Sequence, residues 1–307
     1  MLAIVLALGA SVGWGSGDFL GGLTTRRASL WTVIIGSQAV GLVGAALVTA
    51  LAGHGWPGLH AVWPVLLGGV ASVVAISCFY QALAIGSMSI VAPISATNAA
   101  IPFLVGMATG ERPSGVQLAG VVLAAIGVLL VASERAHPGD TIGVAALPNE
   151  PAVEPAALAP AGAARAVPRR NQRRAVVLAL VAAVAMGLVL VGYDATARYD
   201  ALWAMLGGRI SSAAVFTIVF LALRPRVQMR RSALPFIVAV GLLDTGANGL
   251  FALATTHGYL SLVSVLGAVY PVVTVLLAYG LLRERIAPHQ MVGAVGTLVG
   301  IALIAAG

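Results

Sequence analysis

Two charged side chains, Arg209 and Asp244, stand deep inside long apolar runs of this sequence. Each lies ~8 to 10 residues into its run, or roughly 13 Å at 1.5 Å per residue. An unpaired charge in such surroundings costs several kcal/mol, so the two are expected to pair. The pair is either a permanent salt bridge or a working site. In a working site the guanidinium would hold a carboxylate or phosphate and the carboxylate would bind or carry a proton.

Asp18 is a third ionisable group in an apolar run, and it lies about one turn from the end of that run. Its carboxylate is expected to reach interfacial water, as a cap or beside Arg26 and Arg27. A site role is the alternative.

Motifs for other chemistry are absent from the sequence. It contains neither a GxxxxGK[ST] phosphate loop nor HExxH, and a single cysteine, Cys78, excludes an intrachain disulfide. The histidines lie in loops or at the ends of apolar runs: His54, His60, His137, His257 and His289. We therefore predict no catalytic residue, no metal site, no cofactor and no enzymatic activity.

The composition indicates which solvent surrounds these side chains. Apolar residues make up 60% of the 307-residue chain and charged residues 9%, and the mean hydropathy is +1.00. Soluble domains carry about 25% charge, so the sequence predicts an integral membrane protein. All basic residues behind the net charge of +7 are arginines, most of them between apolar runs, and nucleic acid is not an expected partner.

The apolar runs predict an all-α fold of ten membrane-spanning helices, because a span needs about 20 residues. The expected spans are 2–22, 30–51, 63–84, 88–109, 114–133, 175–193, 201–223, 234–256, 260–282 and 288–306. Residues 134–174 interrupt the pattern with six prolines among alanine, glycine and charges. They are predicted to form a disordered linker.

An internal repeat divides the chain. Shifted by 172 positions, residues 3–31 match 175–203 at 12 of 29 pairs, including Trp31 with Trp203 and Arg26 with Arg198. The repeat predicts two five-helix halves, 1–133 and 175–307. Because five is odd, the second half must enter the membrane inverted, as in many secondary transporters.

Three short motifs resemble a known family: Gly13-Trp14-Gly15-Ser16, Gly110-Glu111-Arg112 and Arg283-Glu284-Arg285. Together with the arrangement of two times five helices, they resemble the drug/metabolite transporter superfamily, EamA type. The resemblance implies movement of a small metabolite such as an amino acid, sugar or drug, with export as the expected direction. Glu111 and Glu284 are interpreted as structural residues that close tight turns before Ser114 and Pro288.

Arginine placement predicts the orientation. Fourteen of the 17 arginines fall on one side of ten alternating spans, together with the linker. The positive-inside rule puts that side in the cytoplasm and both termini outside, in the plasma (inner) membrane. The resembled family commonly keeps both termini in the cytoplasm, whereas the arginine count predicts that both termini of this chain lie outside. The cluster Arg165–Arg174 would then meet anionic lipid headgroups.

The repeat pairs polar residues at mid-span: Arg209 with Ser37, Asp244 with Ser72, and Tyr270 with Asn98. Ser37 and Ser72 are interpreted as residues that join helices through interhelical hydrogen bonds. The predicted substrate-binding residues are Arg209, Asp244, Tyr270, Asn98, Trp14, Asn248 and Gln38. Protons as coupling ion and a homodimer are compatible with this interpretation. An intramembrane lipid-modifying enzyme and a non-transporting membrane partner protein are the alternatives.

Overall fold

The computed structural model describes residues 1–24, 28–85, 91, 94–132, 169–225, 227, 231–282 and 287–307. The first half of the chain contains the helices α1 Leu2–Thr24, α2 Leu30–Leu51, α3 Leu59–Ile85, α4 Ala100–Ala108 and α5 Gly115–Ala132. A 3₁₀ turn, Ala96–Ala99, leads directly into α4. The second half contains α6 Arg169–Ala197, α7 Ala201–Leu223, α8 Leu234–His257, α9 Leu260–Gly267, α10 Tyr270–Leu282 and α11 Pro288–Ala306.

These helices follow the predicted spans closely, with three differences. The predicted span 88–109 is helical over Ala96–Ala108, and residues 86–90, 92 and 93 lie outside the described part. The helix α6 begins at Arg169, inside the range predicted as linker, so its basic first turns continue the helix beyond the apolar run. The predicted span 260–282 is broken into α9 and α10 around Ala268, where the backbone approaches a cavity. Within the described residues, nine helical segments are long and apolar enough to cross a membrane, and Ala96–Ala108 is a shorter apolar helix. Residues 133–168, most of the predicted linker, lie outside the described part.

Both final helices of the halves begin with the same cap. The Gln117 side chain accepts a hydrogen bond from the backbone N–H of Ser114 at 2.9 Å, and the Gln290 side chain accepts one from Ala287 at 3.1 Å. Each glutamine therefore satisfies a backbone donor just before the first turn of its helix. Repeat-related residues thus start α5 and α11 in the same way.

Helix packing also occurs in repeat-related pairs. Under the 172-residue shift α1, α2, α3, α4 and α5 correspond to α6, α7, α8, α10 and α11. The helix α1 packs on α8, and its counterpart α6 packs on α3; α2 likewise packs on α8, and α7 on α3. The helices α5 and α11 pack on each other.

Glycines at equivalent positions make two of these contacts possible. A Cβ on Gly15 would lie 2.6 Å from the carbonyl oxygen of Tyr270, and one on Gly187 would lie 2.6 Å from that of Asn98. Gly15 corresponds to Gly187, and Tyr270 to Asn98. Any larger residue would force the backbones apart, so both halves use the same close approach.

One end of the bundle is held by a contact between the halves. The Glu111 carboxylate, in the turn after α4, accepts hydrogen bonds from the backbone N–H groups of Leu260 (2.7 Å) and Ser261 (2.9 Å) at the start of α9. A carboxylate at a helix N-terminus is favoured by the helix dipole. Glu111 is thus structural, as predicted, but it connects the two halves in addition to closing its own turn. Glu284 lies outside the described residues. At the same end of the bundle, His54 after α2 bonds Asp200 before α7.

Candidate functional site

A cavity of about 220 Å³ lies at mid-span between the two halves of the chain. All seven residues predicted as substrate-binding from the sequence line it: Trp14, Gln38, Asn98, Arg209, Asp244, Asn248 and Tyr270. Five helices of the second half and three of the first contribute to its wall, so neither half encloses it alone.

Arg209 is the centre of a polar network that crosses the halves. Its guanidinium donates through Nη2 to the Asp244 carboxylate and through Nη1 to the Gln38 side-chain oxygen at 3.0 Å. The same Gln38 oxygen accepts a hydrogen bond from the Ser212 hydroxyl at 3.2 Å. The predicted ion pair of Arg209 and Asp244 is thus present, and α2 of the first half shares it.

The two partners of the ion pair differ in their exposure. The Arg209 side chain is 4% exposed, whereas the Asp244 side chain is 43% exposed. Arg209 Nε is buried and has no hydrogen-bond partner among the described residues. The Asp244 carboxylate is therefore accessible from the cavity, and the buried Arg209 guanidinium binds it on the protein side.

Asn98 and Tyr270, which the repeat relates to each other, both line the cavity, and their side chains lie within interacting range. In a two-fold arrangement, equivalent residues meet only at the axis that relates the halves. Their proximity therefore marks the cavity as the place where such an axis would pass.

Trp14 forms one side of the cavity. Its indole Nε1 donates to the Asn248 side-chain oxygen at 3.2 Å, and its ring lies 5.7 Å from that of Phe251, centroid to centroid. The indole donor is thus satisfied, and the ring is held in place by α8.

Ser37 and Ser72, which were expected to form interhelical hydrogen bonds, form hydrogen bonds within their own helices instead. The Ser37 hydroxyl donates to the carbonyl of Ile34 at 3.0 Å, and the Ser72 hydroxyl donates to that of Gly69 at 2.7 Å. Local bonds of this kind compete with interhelical ones for the hydroxyl proton. Ser72 lines the cavity, whereas Ser37 is not among its lining residues.

Besides Ser72, three polar lining residues were missed or given another role in the sequence interpretation. Asp18 lines the cavity and is exposed there. The helix α1 continues past it to Thr24, so Asp18 does not lie at the helix end. The expected role as an interfacial cap was therefore incomplete, and Arg26 and Arg27 lie outside the described residues. Tyr193 and Ser212 were not predicted at all. Ser212 lies one turn after Arg209, which was the available signal.

Repeat-related residues of both halves line the cavity. Five pairs at a spacing of 172 line it: Trp14 with Met186, Asp18 with Leu190, Ser72 with Asp244, Ile76 with Asn248, and Asn98 with Tyr270. Within the described residues, the histidines, cysteine and acidic residues form no group of three that could hold a metal ion. The side chains present there are suited to bind a small polar or amphipathic molecule.

Comparisons with known proteins give the family and the fold of the chain. No curated protein matches the chain. A solved structure described as "Crystal structure of protein" matches it with a TM-score of 0.74 at 17% identity, covering 98% of this chain and 94% of the other, which shows a shared fold. The sequence model of the EamA-like transporter family matches residues 1–133 and 173–306. The chain therefore belongs to the EamA-like transporter family.

Proposed function

We propose that this protein is a secondary transporter that exports a small polar or amphipathic metabolite by alternating access of two inverted five-helix repeats. The observation that carries the proposal is the cavity, which is lined by five repeat-related pairs of residues from the two halves. Sites in transporters built from inverted repeats lie near the bilayer midplane between the repeats.

The repeated helix contacts support the inverted arrangement. Gly15 and Gly187 make equivalent close approaches, to the backbones of Tyr270 and Asn98. Each half contributes five predicted spans, so a two-fold axis relating them would lie in the membrane plane. Rocking of the halves about that axis would expose the cavity to each side in turn. The contact of Glu111 with α9 would close one end in the present conformation.

The solute would bind where the halves share polar groups. Arg209 would hold the Asp244 carboxylate in place beside the solute, because a guanidinium binds a carboxylate through directional hydrogen bonds. Directional hydrogen bonds would come from Asn98, Asn248, Tyr270 and Gln38, and the Trp14 ring would stack on the solute.

Blocking the cavity tests the proposal. Cells producing the wild-type protein are compared with cells producing Ser72→Trp, which places a large ring in the cavity. The matched control is Leu67→Trp on the same helix, where the wild-type side chain is 59% exposed on the outer surface. The metabolite retained by cells with Ser72→Trp, but released with the wild type and the control, identifies the solute. Identical metabolite profiles for all three would contradict transport through this cavity.

Orientation is the remaining part of the proposal. The arginine count supports a cytoplasmic linker and external termini in the plasma (inner) membrane. It would also bring Arg173 and Arg174, both exposed at the start of α6, to anionic headgroups. Reporter fusions near residue 150 should report cytoplasm and fusions after Gly307 the outside. The opposite pattern would overturn the orientation and leave the cavity unchanged.

A further inference from the structure

The cavity has two chemically different walls. Four of its repeat-related pairs place the more polar member on α1 or α8 and the less polar member on α3 or α6. The members on α1 and α8 are Trp14, Asp18, Asp244 and Asn248. Their counterparts on α6 and α3 are Met186, Leu190, Ser72 and Ile76. Because α1 packs on α8 and α6 packs on α3, the polar members share one wall and their counterparts form the other.

The charge of the polar wall is not balanced by the described residues. Asp244 is paired with Arg209, whereas Asp18 makes no ion pair or hydrogen bond that the described residues supply. With all three groups ionised, the described lining therefore carries one net negative charge. An uncompensated charge at this depth is costly, so a cation at Asp18 would stabilise the cavity.

From this arrangement we infer that the cavity binds an amphipathic monoamine, with its ammonium group on Asp18 and its apolar body against Met186, Leu190 and Ile76. The inference deepens the proposed function by naming the substrate class of the same site. It accounts for the one carboxylate that the Arg209 network leaves free.

The surroundings of Asp18 favour an organic ammonium over a metal ion. Trp14 lies one helical turn before Asp18 on α1, and Tyr270 lies within electrostatic range of its carboxylate. Aromatic faces attract ammonium groups by cation–π interaction. Calcium, in contrast, takes six to eight oxygen ligands, and the described residues provide no such acidic cluster.

The charged and titratable groups around Asp18 come from several helices. Asp244 on α8 lies within its electrostatic range, Arg209 on α7 pairs with Asp244, and Tyr193 on α6 and Tyr270 on α10 line the same cavity. The repulsion from Asp244 raises the gain from a cation at Asp18, since the cation screens the two carboxylates from each other.

The test uses three probes of one size and shape at pH 7: 3-phenylpropylammonium, 3-phenylpropanol and 3-phenylpropionate. Each is titrated into the full chain in lipid nanodiscs, and binding is followed by tryptophan fluorescence and by melting temperature. We expect only the ammonium probe to bind. Asp18→Asn should weaken its binding at least tenfold, Asp18→Glu should retain most of it, and Trp14→Phe should weaken it severalfold. Asp200→Asn, at the helix end outside the cavity, is the matched control and should bind normally.

Two kinds of result would overturn the inference. One is binding of the neutral or anionic probe as tightly as the ammonium probe. The other is unchanged ammonium binding in an Asp18→Asn variant that has the melting temperature of the wild type. If Asp18→Asn does not fold, equal binding by the wild type and Asp18→Glu/Trp14→Phe would overturn it instead. Failure of the proposed function is a separate result, since it would appear as amine binding without any transport.

Discussion

The two walls of the cavity are built on the same helix packing and carry different side chains. The polar wall, on α1 and α8, presents Asp18 and Asn248, whereas the apolar wall, on α6 and α3, presents Leu190 and Ile76 at the equivalent positions. The glycine contact that supports α1 recurs at the corresponding position of α6.

This contrast shows which parts of the repeat are fixed by packing and which are free for binding. Residues at the helix contacts must stay small, because a Cβ would meet a neighbouring backbone. Side chains at repeat-related positions of the cavity do differ between the halves, as Asp18 and Leu190 show. A symmetric scaffold can thus present an asymmetric site.

Breaking the ion pair of the polar wall should have the largest effect on stability. Asp244→Leu leaves the buried Arg209 without its partner, which costs ~3–5 kcal/mol. Arg209→Leu should cost less, because the Asp244 side chain left behind is 43% exposed. Melting of each purified variant in one detergent measures the loss. The matched control, Leu190→Met on the apolar wall, conserves volume and should cost less than about 1.5 kcal/mol. Equal losses of stability in all three variants would show that the ion pair makes the polar wall no more sensitive to substitution than the apolar wall.

Removing the contact between the halves at the bundle end should have the next largest effect. Glu111→Ala deletes the acceptor of two backbone N–H groups at the start of α9, and a hydrogen bond to a charged group is worth about 1.5–3 kcal/mol. Glu111→Gln keeps one acceptor oxygen and should lose less, while Arg112→Ala controls for the turn itself. Thermal melting ranks the three. A loss for Glu111→Ala no larger than that for Arg112→Ala would contradict a role between the halves.

Substitution of the two equivalent glycines tests whether the walls share one packing. Gly15→Ala and Gly187→Ala each place a methyl group 2.6 Å from a carbonyl oxygen. Overpacking of this kind costs ~1–3 kcal/mol, and we expect the two losses to agree within about 0.5 kcal/mol. Gly21→Ala on α1 is the control, because a Cβ there meets nothing within 4 Å. Unequal losses of stability in the two variants would show that the two halves do not share one packing.

Shortening the predicted linker should have the smallest effect. Deletion of residues 140–160 removes a stretch without apolar periodicity, and changes in loop length cost little. Transport and melting temperature should stay near the wild-type values. A protease-resistant fragment containing these residues would contradict the prediction of a disordered linker.

Most of the scaffold could be predicted from the sequence, since long apolar runs and the repeat are local or periodic signals. The mid-span positions of Arg209 and Asp244 were visible for the same reason, and the paired burial of opposite charges followed from energetics. The remaining contacts depend on which helices are neighbours. Glu111 reaches α9 of the other half, and Asp18 faces the cavity, because of tertiary packing that no spacing within α1 or the turn encodes.

The most direct test of the central claim, that the mid-span pair belongs to a solute site, is the double variant Arg209→Leu/Asp244→Leu. Replacing a whole ion pair by apolar residues is often neutral for folding, so its melting temperature should lie near that of the wild type. Export of the metabolite identified with Ser72→Trp is then measured in the same cells. Our account predicts a stable protein that does not transport. Full transport by a stable double variant would contradict the site assignment and would make the pair a purely structural bridge.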